Sequence, residues 1–379
     1  MIRLEPAVPP AVLAAIRAPF LDQGAALVDT PVMQPLGLLL DISGEAMRPR
    51  LFVVQADGID EACLRPDLTI GVALAHIATG ARSGRYLYEG KAFRVAPQGS
   101  ERAEEFLQIG LELYGGGDPA PPDAAAAGLA WRAAVAGGRT DLVMEMGDIA
   151  LFRQFLDALG LARALAVRLE RAFRRPRSLR AELERAQQSN GGGAASNGQL
   201  SAMLARLPEP DAAKALEELW ALAGVQPVGG RSPGEIVHRL AERAEAARAP
   251  ALAAAQAQKI AAFLAISDRP AAALEQVRAL ADGPSLDRAL QAWAVRLERL
   301  ADEGVPADRQ RFSPAFGRAF GYYDGFLFEV RSAALDAERP VAAGGRYDGL
   351  MARLGAKTRT GAVGCMVRPW RAYAEGEPS

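Results

Sequence analysis

Residues 84–115 predict a long β-hairpin, and this segment constrains the fold more than any other part of the chain. A first strand-like run covers residues 85–88 and continues to Phe93 and Arg94. A polar loop with proline and glycine follows, and an alternating strand then covers residues 107–113. The alternation predicts that one face of the hairpin lies in the protein core.

The second strand of this hairpin has one apolar and one polar face, because successive side chains point to opposite sides of a sheet. The apolar positions are Leu107, Ile109, Leu111 and Leu113. The polar face carries Gln108, Gly110 and Glu112, and the glycine leaves room for a small ligand between an amide and a carboxylate. A strand with one face in solvent alternates in the same way, so the hairpin alone leaves both interpretations open.

The composition excludes several classes of protein. Hydrophobic residues make up 50% and charged residues 23%, as is usual in soluble globular proteins, and the length of 379 residues would allow two or three domains. The 44 basic and 45 acidic residues give no excess charge for non-specific nucleic-acid binding. No apolar run reaches membrane-spanning length and the first residues do not resemble a signal peptide, which predicts a cytoplasmic protein without a membrane partner.

Metal and cofactor sites are not expected from the cysteine and histidine content. Cys63 and Cys365 lie far apart and have no neighbouring ligand residues, so buried, unreactive thiols are predicted. His76 and His238 are the two histidines, and each lies in a helical pattern where packing or surface roles are usual. We therefore predict no metal, no cofactor and no catalytic triad.

Mixed helices and strands precede the hairpin. A helix is predicted at residues 9–20, and short strands are predicted at residues 25–29, 36–41 and 51–55. A further helix begins after Asp67 and Thr69 and extends to about residue 79. Asp67 and Thr69 suit the first turn of a helix as capping residues, and they equally suit contacts to a ligand.

The composition changes after residue 175. Residues 176–300 are rich in Ala, Leu, Glu and Arg and predict a helical insertion, with a flexible loop at residues 189–198. A sheet pattern returns in residues 301–379, where glycines flank Tyr322 and Tyr323 and precede Tyr347. Such glycines and tyrosines are typical of a pocket, and also of aromatic strands in a core.

Six motifs occur in a fixed order along the chain: LRPDLT, YEGKAFR, EEFLQIGLELYG, GRAFGYYDGFLFE, GGRYDGL and AVGCMVR. In this order they resemble the catalytic core of histidyl-tRNA synthetase, a class II aminoacyl-tRNA synthetase. The resemblance implies an α+β fold in which an antiparallel sheet is flanked by helices. It assigns residues 1–175 and 301–379 to the two parts of the core, and it implies a dimer organised near Pro31 and a pocket for free histidine.

The resemblance also implies which residues bind histidine. Arg94 matches the arginine that holds the carboxylate of the amino acid, and Asp67 and Thr69 match the residues that receive its α-amino group. Independently, a buried zwitterion needs a cation and anions that converge on it. The complete expected set is Asp67, Thr69, Arg94, Gln108, Glu112, Arg318, Tyr323 and Tyr347.

Several positions depart from the synthetase pattern at the expected ATP site. Ala96 replaces an ATP-binding glutamate, acidic residues end the second basic stretch at Glu104 and Glu105, and Gly321 replaces an aspartate. The last motif reads Arg368-Pro369-Trp370-Arg371, which is expected to fill the adenine space and to put a proline into the covering helix. Loss of several phosphate contacts together should abolish adenylate formation, so no catalytic residue is predicted.

The sequence ends shortly after the last motif, where a synthetase would continue into an anticodon-binding domain, and none is expected here. The combination resembles the regulatory subunit of ATP phosphoribosyltransferase, which implies a short-form catalytic subunit as partner, a homodimer within a hetero-octamer, feedback by free histidine and no tRNA. The alternative is a truncated synthetase-like enzyme that activates an amino acid for a non-tRNA acceptor. A structural dimer with a vestigial pocket is the third hypothesis.

Overall fold

The computed structural model describes residues 2–55, 61–173, 176–188, 252–317, 321–336 and 339–375, with four further helical positions at 211, 214, 215 and 218. The chain divides into two compact units. The first comprises Met1–Phe155 and Phe263–Ser379, and the second comprises Leu156–Ala262. Within the described ranges, no helix combines the length and hydrophobicity that crossing a membrane requires.

An eight-stranded mixed sheet forms the centre of the first unit, with strand order β1-β5-β6-β11-β10-β9-β7-β8. The predicted hairpin is its β5–β6 pair, and its register runs from Gly84 opposite Tyr114 to Phe93 opposite Glu105. The six central strands, from β5 to β7 in the spatial order, pair antiparallel with their neighbours. The two edge strands pair in parallel, β1 with β5 and β8 with β7. The strands of this sheet are β1 (Ala26–Leu27), β5 (Gly84–Phe93), β6 (Glu105–Gly115), β7 (Leu142–Asp148), β8 (Gln310–Phe312), β9 (Phe326–Ser332), β10 (Ala342–Arg346) and β11 (Gly361–Val367).

Helices cover both faces of this sheet. On one face, α3 begins beside Glu112, to which its residue Thr69 is hydrogen-bonded. On the other face, α4 contacts β10 and β11, and its residue Asp123 binds Arg346. The described helices are α1 (Pro10–Leu21), α2 (Leu36–Ser43), α3 (Thr69–Thr79), α4 (Ala120–Ala136), α5 (Ile149–Ala158), α6 (Arg163–Phe173), α7 (Pro176–Gln188), α8 (Ala254–Ala265), α9 (Pro270–Leu280), α10 (Pro284–Asp302), α11 (Asp348–Arg353) and α12 (Pro369–Ala372).

A small antiparallel sheet lies beside the main sheet and consists of β2 (Met33–Pro35), β4 (Ala62–Leu64) and β3 (Val53–Val54). The strand predicted at residues 36–41 is wrong, since this segment belongs to α2. Leu36, Leu39 and Leu40 of α2 are buried, and their spacing puts them on one side of a helix. Short apolar runs do not distinguish a buried helix from a buried strand, which explains the error.

The second unit is helical in its described part. Its helices α6 and α7 pack together, and Arg168 Nε donates a 2.7 Å hydrogen bond to Glu182 Oε1. The loop predicted at residues 189–198 lies outside the described residues. The helix α9 and all but the last two residues of α10 fall within the expected insertion at residues 176–300. Both helices belong to the unit that contains the main sheet, where α10 packs along α4.

A buried ion triad joins α4, α10 and the main sheet. Asp123 is fully buried, and its Oδ2 accepts hydrogen bonds of 2.8 and 3.1 Å from Arg296 while its Oδ1 accepts one of 2.8 Å from Arg346 Nε. The guanidinium of Arg296 also lies over the rings of Trp293 and Phe326, at 4.7 and 4.8 Å from their centroids. The carboxylate therefore pairs with two buried cations at the junction of three elements, and Arg346 has Asp348 as a second acidic partner.

Replacing Asp123 with alanine should destabilise the protein strongly. The change removes the buried carboxylate that Arg296 and Arg346 share and leaves Arg346 with Asp348 alone. We expect a loss of about 3–5 kcal/mol in the free energy of unfolding by urea denaturation. Glu275→Ala is the matched control, because it removes an exposed partner of Arg278 and should cost less than about 1 kcal/mol. A loss for Asp123→Ala no larger than that of the control would contradict this account of the triad.

Candidate functional site

The site is built around Glu112, which lies in the middle of β6 and is 1% exposed. Thr69 Oγ1 at the start of α3 donates a 2.7 Å hydrogen bond to Glu112 Oε1, and the Tyr347 hydroxyl donates to Oε2. Gly364 of β11 gives the carboxyl its space, since an added Cβ there would lie 1.5 Å from Oε2. Three segments that are distant in sequence thus converge on one carboxyl group.

Burial changes the acidity of this carboxyl. The pKa of Glu112 is raised to about 8, chiefly because burial removes the carboxylate from water. The hydrogen bonds from Tyr347 and Thr69 act in the opposite direction, and the nearby Asp67 contributes to the rise. Near neutral pH the group therefore takes up and releases a proton easily. A cationic group that entered the site would favour the ionised form.

Tyrosines surround this carboxyl and the neighbouring Asp67. The Tyr322 hydroxyl donates a 3.2 Å hydrogen bond to Asp67 Oδ2, and the hydroxyls of Tyr347 and Tyr114 lie 3.3 Å apart. The Tyr323 ring centroid lies 4.7 Å from that of Tyr322 and 6.3 Å from that of Tyr347. All of these side chains are buried, so the two carboxyl groups have an aromatic, low-dielectric surrounding.

The polar face of β6 is buried, which excludes the interpretation of a solvent-facing strand. Gln108 is 1% exposed, and within the described part of the chain its Oε1 has no hydrogen-bond partner. The expectation that Gly110 leaves room for a ligand is wrong. An added Cβ at Gly110 would lie 2.2 Å from the Tyr88 hydroxyl and 2.5 Å from the Cys365 carbonyl oxygen, so protein atoms fill this space.

Arg94 lies next to the segment that carries Asp67. Its Nε donates a 2.8 Å hydrogen bond to the Pro66 carbonyl oxygen, and its guanidinium lies 5.2 Å from the centroid of the Phe106 ring. A cation is thereby held next to the backbone of the segment that carries Asp67. Arg318, the other expected cation, lies outside the described residues.

The structure brings together most of the expected residues and adds three tyrosines. Thr69 hydrogen-bonds to Glu112, so its hydroxyl contacts the site carboxyl, as the ligand-contact interpretation of this residue predicted. Tyr88, Tyr114 and Tyr322 were not expected at the site. The hairpin register could have indicated Tyr88, because it stands opposite Gly110 on the polar face.

The predictions for His76, Cys63 and Cys365 hold in the structure. His76 is a packing residue, because its ring is buried and stacked on Tyr114 at 4.3 Å and its Nδ1 lies 3.0 Å from the Tyr86 hydroxyl. Cys63 and Cys365 are buried, and burial raises the pKa of both thiols. No group of three or more His, Cys, Asp or Glu side chains in the described part of the chain could hold a metal ion.

Three of the positions that depart from the synthetase pattern lie near strand ends: Ala96 and Glu104 in the loop between β5 and β6, and Arg368 directly after β11. The amide of Ala96 donates a 3.2 Å hydrogen bond to Glu104 Oε1, and the buried Arg368 donates to Glu5 Oε1 near the N-terminus. The guanidinium of Arg368 lies 3.5 Å from the Phe106 ring centroid. Pro369 does not interrupt a helix as expected, because it is the first residue of α12, where no amide donor is needed.

Comparisons with known proteins identify relatives over nearly the whole chain. A family model described as histidyl-tRNA synthetase matches residues 11–229 and 234–369. The ATP phosphoribosyltransferase regulatory subunit of Mesorhizobium japonicum is 39% identical over 368 residues, covering 94% of this chain and 95% of the relative. The subunit of the same name from Chelativorans sp. is 37% identical over 361 residues and 94% of each chain.

Solved structures share the fold. A Bacillus halodurans protein described as an ATP phosphoribosyltransferase regulatory subunit/histidyl-tRNA synthetase superposes with a TM-score of 0.67 at 19% identity, over 99% of this chain and 82% of that one. A histidine–tRNA ligase subunit from Alicyclobacillus acidocaldarius gives a TM-score of 0.57 at 21% identity, over 99% and 98% of the two chains. The α+β class II aminoacyl-tRNA synthetase-like fold is thereby confirmed.

The raised pKa of Glu112 should appear in the pH dependence of stability. The folded state holds a proton that the unfolded state releases above its ordinary pKa of 4.5, so this group's stabilisation is complete below that pH and is lost as the pH rises through about 8. Between these values, the wild type should lose up to about 1.4 kcal/mol per pH unit relative to Glu112→Gln in urea unfolding. Glu275→Gln, at an exposed position, is the control, and parallel pH profiles for wild type and Glu112→Gln would refute the assignment.

Proposed function

Because the chain belongs to the family of ATP phosphoribosyltransferase regulatory subunits, we propose that it binds free histidine and transmits feedback inhibition to a short-form catalytic subunit in the first step of histidine biosynthesis. The observation that carries this proposal is that Asp67, Glu112 and Gln108 are buried polar residues, and that Arg94 is bound to the carbonyl of Pro66, the residue before Asp67. Their charges are complementary to those of a zwitterionic amino acid with a hydrogen-bonding side chain.

Each polar group of histidine has a partner of suitable chemistry among the expected site residues. The carboxylate would bind Arg94, and the α-amino group would bind Asp67, Thr69 and the Gln108 carbonyl oxygen. The imidazole would lie against Glu112, Tyr323 and Tyr347, whose rings and hydroxyls suit a flat, polar heterocycle. A buried amide oxygen without a hydrogen bond, such as Gln108 Oε1, destabilises the folded state, and a hydrogen bond from a ligand N–H would remove this cost.

Binding must favour one conformation over another for histidine to act as an effector. The site joins α3, β6 and the segments that carry Tyr323 and Tyr347, and Glu112 links them through direct hydrogen bonds. Histidine that replaces or reorders these bonds would change how the segments sit together. The inhibition then requires unequal affinity for two arrangements, and the coupling to the catalytic partner is reciprocal in binding terms.

We also propose that aminoacylation activity is lost. The contacts of the N-terminal segment support this, because Glu5 is bound by the buried Arg368 and the Arg3 amide donates to Glu104. Arg368 and Glu104, two positions where the synthetase resemblance expects ATP contacts, are therefore bound to the N-terminal segment. With Ala96 in place of a glutamate, the retained amino-acid site would serve binding alone.

The oligomeric part of the proposal is a cytoplasmic homodimer that joins the catalytic subunit in a hetero-octamer. Large apolar side chains are exposed close to Pro31 on β1, β2 and the intervening loop. Leu27 is 74% exposed and Met33 is 56% exposed, and Val32 lies between β1 and β2 in sequence and is also exposed. Apolar side chains that collect in one region of a surface are typical of a subunit interface.

Histidine should bind to the purified chain and lose affinity when Arg94 is replaced. Arg94→Ala removes the cation for the histidine carboxylate, and we expect at least about a tenfold higher Kd by isothermal titration calorimetry, since a charged hydrogen bond contributes about 1.5–3 kcal/mol. Mixed with a short-form ATP phosphoribosyltransferase, the wild type should confer inhibition by histidine and the variant should not.

Arg288→Ala, at an exposed position of α10, is the matched control and should leave both properties unchanged. Absence of histidine binding, alone and in the mixture, would refute the feedback role and leave a structural subunit. Histidine-dependent or other amino-acid-dependent exchange of pyrophosphate into ATP would instead support the truncated synthetase-like enzyme.

The proposed dimer should depend on the exposed apolar side chains near Pro31. Leu27→Glu combined with Met33→Glu places two charges in this region, and light scattering after size exclusion should show a monomer where the wild type is a dimer. Val135→Glu, an equally non-conservative change at a 45% exposed position of α4, should leave the dimer intact. A dimeric double variant would place the interface elsewhere.

A further inference from the structure

A cavity of about 920 Å³ lies on the α4 side of the main sheet, opposite to the face that carries Glu112. Its floor is one row of cross-strand neighbours, in which Arg85 of β5 stands opposite Leu113, Leu113 opposite Val363, and Val363 opposite Arg346 of β10. Because neighbouring strands lie about 4.8 Å apart, this row spans about 14 Å. An apolar centre is thus bordered by a guanidinium at each end.

Three arginines of the cavity wall have no acidic partner in the described part of the chain. Arg82, Arg85 and Arg359 are exposed, and none of them forms an ion pair with a described residue. The acidic groups of the wall are already engaged. Asp348 pairs with Arg346 and accepts the Ala362 amide, and Asp118 accepts the Ala120 amide.

The loop before α4 leaves the cavity open for a ligand near the backbone. An added Cβ at Gly116 or Gly117 would meet no atom within 4 Å, and only Gly117, with a φ of 106°, needs glycine for its conformation. The positive end of the α4 dipole faces this region. Its first amides are used by Asp118 and by the Pro119 carbonyl oxygen, so an anion here would be held by the arginines.

We propose that this cavity binds a phosphate-bearing small molecule. Arg82, Arg85 and Arg359 hold the phosphate groups, and the Leu113–Val363 floor packs against the remainder of the ligand. Cations that line one cavity repel one another, and a dianion or polyanion offsets this repulsion better than a single carboxylate does. The cavity volume falls within the usual range of small-molecule sites and suits a nucleotide or a phosphorylated sugar.

This site is separate from the proposed histidine site and does not depend on it. Leu113 directly follows Glu112 in β6, and successive side chains of a strand point to opposite faces. Leu113, Val363 and Arg346 are cross-strand neighbours, so the two sites lie on opposite faces of the sheet. Ligand binding can therefore be measured separately for each face.

The test is calorimetric titration of the full chain with ATP, inorganic pyrophosphate and adenosine at low ionic strength. We expect ATP and pyrophosphate to bind with a Kd of about 1 mM or tighter, and adenosine to bind at least about tenfold more weakly. Arg82→Ala combined with Arg359→Ala should weaken ATP binding by at least about tenfold. Both residues are exposed on loops, so this variant should fold, and its thermal unfolding checks this.

Two control variants separate this site from others on the chain. Arg94→Ala should retain ATP binding whatever its effect on histidine, and Arg288→Ala should behave as wild type. Absence of binding by both phosphate probes overturns the proposal. Unchanged ATP binding in the Arg82→Ala, Arg359→Ala double variant would also overturn it. Loss of ATP binding in Arg94→Ala, or a loss in Arg288→Ala as large as in the double variant, would overturn it as well.

Discussion

The burial of one carboxyl group, Glu112, determines how the polar parts of this protein are arranged. An isolated buried carboxylate is costly, so the surrounding segments supply hydrogen bonds, and desolvation raises its pKa to about 8. Thr69 and Tyr347 provide the hydrogen bonds, which holds the start of α3 and the segment after β10 against β6. Glycine at position 364 is required because the carboxyl group occupies the volume of a side chain.

The main sheet separates two polar systems. One face carries the carboxyl groups and tyrosines of the proposed histidine site, and the other carries the Asp123 triad and the arginine-lined cavity. Each cation or anion buried in the centre of these systems has a partner of opposite charge or a hydrogen bond. The exposed arginines of the cavity are different, because solvent alone compensates their charge in the described structure, and this difference makes that cavity a candidate ligand site.

Errors of the sequence interpretation have local causes. Residues 36–41 form part of α2 because a short apolar run is compatible with a helix or a strand until its packing is known. Gly110 was read as space for a ligand, but the same absence of a side chain accommodates the Tyr88 hydroxyl and a neighbouring strand. Pro369 was read as a helix breaker, whereas it begins a helix of four residues.

The sequence by itself determined the hairpin, the order of the motifs, the family and most residues of the candidate site, because period-two alternation and motif spacing are local properties of the chain. Only the tertiary structure decided that the polar face of β6 is buried and that α10 packs with the sheet unit. These facts depend on contacts between distant segments. Thr69 and Glu112 are 43 residues apart and Glu112 and Tyr347 are 235 apart, and no local pattern records which of them meet or how far burial shifts a pKa.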